Sequence, residues 1–442
     1  MPRVALLALA VGLVLADSSV VTLGLPDVLL EFDASPPEVA WVLTGYNLVL
    51  ALVSLPAAAL VLRGAASPAT LARAGLVVFA AASLVCALAP SLGVLVAARC
   101  VQGVGGAVVA VAALALLAAE AGGRVRGAAV WGAAGTLGAA IGPAVGGLLT
   151  EALSWESIFF VQVPVALVCL AGVRAVDVPV PPARSRPDAR HLVALLFTGA
   201  GLTAALFLLV LLLMAGWRLS PIAAAVTVSV MPVAALFGGR LPGGNAQSRA
   251  GAGALLLGGG LAALGLLPEA GIAWTIVPQV LVGLGLGLSL GALTEAALER
   301  REPLVWHGAW TLTARHVGVV AALALLTPMF NADLEEQEDQ AIETVMAQLL
   351  DSDVAATTKL RVGVELGGEL SGPTNEVPDV APVFEGVDAD GEERARLDAL
   401  QADVEDQLDR AATTAFERSF LVAAILSLFA LVPLLWPAGR RP

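Results

Sequence analysis

VWGAAGTLGAAIGPAVGG, residues 130–147, decides the fold class. The stretch is apolar enough to cross a bilayer, yet Gly138, Gly142 and Gly146 recur every four residues. That spacing places three positions without side chains on one helix face, where a neighbouring backbone can approach closely. Pro143 removes a backbone hydrogen bond in mid-helix and softens the turn before it, and Gly147 follows the stripe directly. Two readings follow: a packing face inside a polytopic membrane protein, or a close-packed helix at a moving interface between two halves of the molecule.

Composition agrees with the membrane. The 442 residues are 58% hydrophobic and 14% charged, with a mean hydropathy of +0.86. Soluble chains carry about 25% charged residues. The net charge of −13 is unevenly placed: residues 331–418 hold 23 acids and six bases, leaving 14 acids and 18 bases elsewhere. Cys86, Cys100 and Cys169 fall inside apolar runs without metal-site spacing and read as small core residues. Only Arg3 precedes the first apolar run, and no small-residue cleavage site ends it, so it reads as a retained helix.

Twelve spans emerge, at about 4–26, 38–62, 69–90, 93–119, 126–150, 157–175, 192–215, 221–238, 250–267, 272–297, 305–328 and 417–437. Arginines from Arg63 and Arg73 through Arg124, Arg126, Arg184 and Arg190 to Arg240, Arg249, Arg300 and Arg301 sit in or beside the even-numbered connections. Arg440 and Arg441 follow the last span, whereas Asp27, Glu31, Asp33, Glu38, Glu151, Glu156 and Glu269 occupy the odd connections. The positive-inside rule then predicts a multi-pass plasma-membrane protein with both termini cytoplasmic. The Pro/Arg-rich linker divides the spans six and six, which suggests two repeats around a midplane site. The expected organisation is a first six-helix half over 1–176, a cytoplasmic linker over 177–191, helices 7–11 of the second half over 192–328, an acidic extracytoplasmic insertion over 329–416, and the last helix with its tail over 417–442.

The insertion is too long for a casual loop. Leu334, Ile342, Val345 and Leu349 form one apolar stripe, and Leu397, Leu400, Val404 and Leu408 form another. These predict two helices continuing the eleventh and twelfth spans outward as an antiparallel pair, capped by an irregular Gly/Pro-rich tip. An acidic exterior of this size is also a candidate surface for a protein partner.

An ionisable residue at the membrane centre costs at least ~2.5 kcal/mol unless paired, and so marks a candidate site. Asp17 lies about nine residues from the outer end of its span, ~13 Å deep, and Arg99 about six, ~9 Å deep. Their similar depth allows pairing, either as a static lock or as partners that separate during a proton-carrying cycle. Arg315 and His316 lie near the middle of the eleventh span. Tyr46, Asn47, Gln102, Trp131, Gln162, Trp274 and Gln279 are the other candidates for lining a cavity.

Three motifs now carry a resemblance. LADSSVVTLGLPDV, LVAARCVQGVGGA with Arg99, Gln102 and Gly103, and Gly142, Pro143, Gly146 and Gly147 resemble the first-, fourth- and fifth-helix motifs of the multidrug and quaternary-ammonium proton antiporters of the major facilitator superfamily. SWESIFFVQVP, VPQVLVGLGLGL and TLTARHVGVV extend the likeness, which leaves out the insertion. It implies an all-α major facilitator fold and proton-driven export of lipophilic, cationic or neutral, small molecules, with Asp17 as proton site and no cofactor. Departures are the absence of the extra central helix pair, LRGAASPATLARAG with Gly64 where the family's loop has Asp, and Glu156 and Ser157 where it has Arg and an aromatic residue. Two other functions stay open, a transport-incompetent scaffold binding a partner through its acidic exterior, and a metabolite or lipid transporter on the same fold. No phosphate-binding Gly-Lys loop, metal-ligand spacing or nucleophile elbow points to an enzyme. Nothing points to nucleic acid.

Overall fold

The computed structural model describes residues 2–176, 185–242, 244–299, 301–370 and 379–435. Arg184, Arg300, Arg440, Arg441 and most of the expected linker lie outside these. Among the described residues every regular element is helical.

The first half runs α1 (Pro2–Thr22), the short α2 (Leu25–Glu31), α3 (Pro36–Leu62), α4 (Pro68–Ala87), α5 (Leu92–Glu120), α6 (Arg124–Ala152) and α7 (Glu156–Cys169), which tightens into a 3-10 turn through Gly172. The second runs α8 (Ala189–Leu211) with a π turn at Leu212–Gly216, then α9 (Pro221–Val228), α10 (Val230–Arg240), α11 (Ala246–Gly265), α12 (Ile272–Leu298) and α13 (Leu304–Asp351). After α14 (Ala356–Leu370) and α15 (Ala381–Glu385), α16 (Gly391–Leu428) re-enters the bundle and ends in α17 (Leu431–Leu435).

Helix starts follow local chemistry. Ser67 and Ser220 accept from the backbone N–H groups of Thr70 and Ala223, and Pro36, Pro68 and Pro221 stand where a missing N–H costs nothing. Ten helical stretches are long and apolar enough to cross a membrane, α9 and α10 together forming one. The 17 residues of Glu156–Gly172 and the glycine-diluted α11 complete the twelve expected spans. Large apolar side chains such as Leu52, Val77, Phe237 and Val277 are exposed around the bundle, a surface that calls for lipid. This is a multi-pass membrane protein.

The halves meet twice. One apolar cluster joins the ends of α1 and α3 to α8, α9 and α16 on the side of the insertion, through residues such as Val21, Leu43, Leu209, Ala225 and Phe420. A second joins the first half to the start of α13 at Leu304, Val305 and Leu312.

The insertion has its own core. α13 continues unbroken for 48 residues, ~72 Å at 1.5 Å per residue. Val345 and Leu349 of α13 and Leu397, Leu400, Val404 and Leu408 of α16 are buried together, with Ile342 packed at the edge. Leu334 joins the membrane core instead. The expected irregular tip is corrected: α14 folds there, because Val362 and Leu366, four apart, find this core with Val383 and Phe384 of its neighbour. The segment 371–378 of that tip lies outside the described residues.

Candidate functional site

Glycines on α5 bring two helices against it. A methyl group at Gly103 would strike the Tyr46 carbonyl of α3, and one at Gly105 would strike Phe79 N and Gly75 O of α4. These approaches deliver Tyr46 and Ser83 to Arg99 and Gln102.

Arg99 Nη1 lies 2.6 Å from Asp17 Oδ2, and both side chains are fully buried. Asp17 Oδ1 accepts from Gln162 Nε2 at 2.9 Å and from Gln102 Nε2 at 3.4 Å. Arg99 donates through Nε to Val42 O (3.0 Å) and through Nη1 to Gln102 Oε1 (2.5 Å). Gln102 Nε2 also reaches Gln162 Oε1 (2.6 Å) and Ser83 Oγ (2.8 Å). The guanidinium stands 4.3 Å from the Tyr46 ring centre and 5.5 Å from that of Phe159, and the Tyr46 hydroxyl donates to Val14 O. Two charges are thus taken out of water against one another, inside the first half alone. Such a pair holds only while both members and their hydrogen bonds are present.

A cavity of about 40 Å³ lies between the halves. Leu15, Ser18, Ser19, Thr22, Leu43, Asn47 and Ala139 line it from one half and Leu202, Thr203, Leu206, Arg315, His316 and Val319 from the other. Asn47 Nδ2 donates to Ser18 Oγ (3.0 Å) and to Leu43 O (2.8 Å), and His316 Nδ1 lies 2.8 Å from Leu312 O. Drug-sized ligands occupy roughly 300–1,000 Å³, whereas ~40 Å³ suits a water or two. The cavity is too small in this state for such a ligand. On the insertion side Glu151 Oε2 accepts from Ile222 N (3.4 Å) and Gly147 abuts Pro221 and Ala225. On the opposite side Arg124 pairs with Glu302 (2.8 Å) and donates to the carbonyls of Leu298 and Arg301.

The candidates named from sequence divide into four groups. Asp17, Arg99, Tyr46, Gln102 and Gln162 form the ion-pair network, and the last three do not line the cavity. Asn47, Arg315 and His316 do line it. Trp131, Trp274 and Gln279 lie elsewhere: the Trp131 indole donates to Ala110 O in the core of the first half, Trp274 is 51% exposed, and Gln279 Nε2 donates to Thr275 Oγ1. The fourth group is the α6 stripe. Methyl groups at Gly138, Gly142 and Gly146 would collide with Gly12 O, Ser19 Oγ and Val20 O, all on α1 of the same half. The stripe is therefore a packing face within one half. Gly147, rotated by ~100° from Gly146, is the one that meets the other half. Pro143 is buried beside the stripe.

Ser18, Ser83, Thr203 and the Arg124–Glu302 latch were not singled out from sequence. Hydroxyl residues are common in apolar helices, so their type alone carries little signal. Arg124, first residue of α6 after Gly122-Gly123, and the acidic Glu302 beside Arg301 offered a charge-pairing cue. At Gly64, the departure in the second loop, φ is +65° and a methyl group would meet nothing within 4 Å, so this residue serves a left-handed turn.

Residues 7–325 match the model of the Major Facilitator Superfamily, and the chain belongs to that family. It is 36% identical over 171 residues to multidrug resistance protein Stp of Mycobacterium tuberculosis, covering 37% of this chain and 31% of that protein. It is 33% identical over 235 residues to a methylenomycin A resistance protein of Bacillus subtilis, covering 51% and 48%. The chain thus spans about a third to a half of the length of the curated relatives it matches. A bacterial homologue of the human lysosomal transporter Spinster, solved inward-facing, shares the fold at 15% identity, with a TM-score of 0.62 over 99% of this chain and 98% of that one.

Proposed function

We propose that the protein is a secondary transporter that exports lipophilic small molecules in exchange for protons, by alternating exposure of the central cavity. One observation carries the reading: a fully buried Asp17–Arg99 pair stands one residue along α1 from Ser18, which lines a small cavity between the halves. An ionised Asp17 is held by Arg99. The neutral acid needs no counter-ion, and Arg99 then keeps Gln102 Oε1 and Val42 O. A shift of α1 that opens the cavity also separates Asp17 from α5, so protonation and cavity opening draw on the same movement. Drug and antibiotic resistance in the names of the relatives supports lipophilic substrates. The charge pattern supports a plasma-membrane location with both termini cytoplasmic and the insertion outside.

Asp17→Asn tests the proton step. It is nearly isosteric and retains an oxygen for Arg99, but cannot cycle a proton. In liposomes loaded with a pH-sensitive dye, the variant is expected to bind substrate and to lose gradient-driven movement. Native rates of driven transport in this variant would end the proton-carrier reading.

A further inference from the structure

We propose that the central cavity recognises an anionic group on its substrate, a carboxylate or sulfonate, through Arg315. This deepens, and rests on, the reading of that cavity as the substrate site. The cavity lining contains Arg315 and His316 and neither Asp nor Glu. Asp17, which precedes the lining residue Ser18, has both oxygens engaged by Arg99, Gln162 and Gln102, is fully buried and is not part of the lining. A cationic substrate therefore finds no counter-charge here, against what the resemblance to quaternary-ammonium exporters implies.

Arg315 lies eleven residues from Leu304, ~17 Å along α13 and so near mid-membrane. Among the described residues no hydrogen bond or ion pair holds its guanidinium, in contrast to Arg99, which has three partners. An unpaired arginine at that depth costs ~2.5–3.5 kcal/mol even by the lowest scales. A chain that keeps one facing a cavity gains most if the ligand neutralises it. The backbone makes room for this side chain. A methyl group at Gly199 of α8 would come within 3.3 Å of Arg315 Cγ and 2.7 Å of its carbonyl oxygen. The guanidinium offers a planar fork that matches a carboxylate with two parallel bonds. Thr203, Ser18 and Asn47 add neutral polar groups around the same space. The cavity must widen for the apolar body of such a molecule, since its present volume of about 40 Å³ has room for little more than a charged head.

The test uses the full chain purified in detergent and three probes of one shape: 2-naphthoate, 2-naphthamide and 2-naphthylmethylammonium. We expect naphthoate to bind about tenfold or more tighter than the other two, a difference of ~1.4 kcal/mol or more. Arg315→Gln should erase that preference and Arg315→Lys should keep most of it. The wild-type preference stands without any variant, so poor folding of Arg315→Gln does not protect the idea. Equal affinities, preference for the ammonium, binding of none of the three, or an undiminished preference in folded Arg315→Gln would each overturn it. Liposomes with an imposed proton gradient separate this from the exporter reading. Naphthoate bound but not driven leaves the anion site standing and sinks the exporter. Driven movement of the ammonium in preference to naphthoate keeps the exporter and overturns the anion site.

Discussion

The two halves are built from similar helix pairs but use charge in opposite ways. In the first, α5 lies against α3 with Gly103 at the Tyr46 carbonyl, and Arg99 stands four residues earlier. In the second, α12 lies against α10 with Gly283 at the Met231 carbonyl, and Gln279 stands four residues earlier. The matching position thus holds a paired cation in one half and an amide bonded only to Thr275 in the other. The second half places its deep arginine on α13, facing the cavity. Helix packing differs in step. Three glycines of α6 press on α1, whereas on α13 Gly318 meets Leu196 of α8, whose Gly199 in turn yields to Arg315. Charge is satisfied inside the first half, whereas in the second half it is left facing the cavity without a hydrogen bond or ion pair among the described residues.

The largest effect that would sharpen this contrast is on stability. Asp17→Leu or Arg99→Leu alone leaves a buried charge uncompensated and should cost ~3–5 kcal/mol. The double change should recover most of the loss while driven transport stays absent. Gln279→Leu, at the matching place, should cost about 1 kcal/mol or less, since one neutral hydrogen bond is removed. Thermal unfolding of purified variants measures all four, and a Gln279→Leu loss equal to that of Asp17→Leu would break the asymmetry.

A smaller effect concerns packing. Gly142→Leu would drive a side chain into Ser19 and the Val20 backbone, an overpacking of ~1–3 kcal/mol, with lower yield of folded protein. Gly291→Leu, in the corresponding glycine run of α12, has nothing within 4 Å of the new carbon and should stay within ~0.5 kcal/mol of native. Unfolding midpoints that agree for the two would show that the α6 stripe is not under tight contact.

The smallest effect concerns the linker, which is fastened to the second half. Ser185 N donates to Glu302 O (2.8 Å), and Arg301 pairs with Asp188 (2.6 Å). Burial works to raise the Asp188 pKa, but the hydrogen bonds and charge of His191, and then the charge of Arg301, outweigh it and hold the group down at about 2, below its ordinary 3.8. A lowered carboxylate pKa contributes above the unfolded value and is lost as the group protonates. The clamp should therefore be complete above pH 3.8 and fade as pH falls through about 2. Protection of residues 185–192 from hydrogen exchange, relative to the intrinsic rate at each pH, should fall as pH drops through that window in the native chain, and Asp188→Asn should remove that fall. Protection that stays flat with pH in the native chain would show that this pair does not hold the linker.

Much of the molecule was legible beforehand. Span number and order follow from apolar length, which a bilayer selects directly. The outward continuation of α13 and α16 follows from Val345 with Leu349 and from Leu397 through Leu408, because a helical stripe must bury itself somewhere. Asp17 and Arg99 were paired by depth, since a partner offsets the cost of a charge within the membrane. Neighbour choice was not legible. Four-residue glycine spacing states that α6 has a bare face but not that α1, within the same half, fills it. Glycine content argued against α14, which forms because Val362 and Leu366 meet a core assembled from residues as far along the chain as Leu408, 46 positions after Val362. Tyr46, Gln102 and Gln162 were recognised as polar residues in apolar helices, yet only the packing of α3 and α4 on α5 and of α7 on α4 and α1 gathers them around Asp17 and Arg99, off the cavity lining. Arg315 carries the same guanidinium as Arg99. Its lack of a partner is decided by which helices surround it, and sequence spacing along one helix does not encode what the other helices bring.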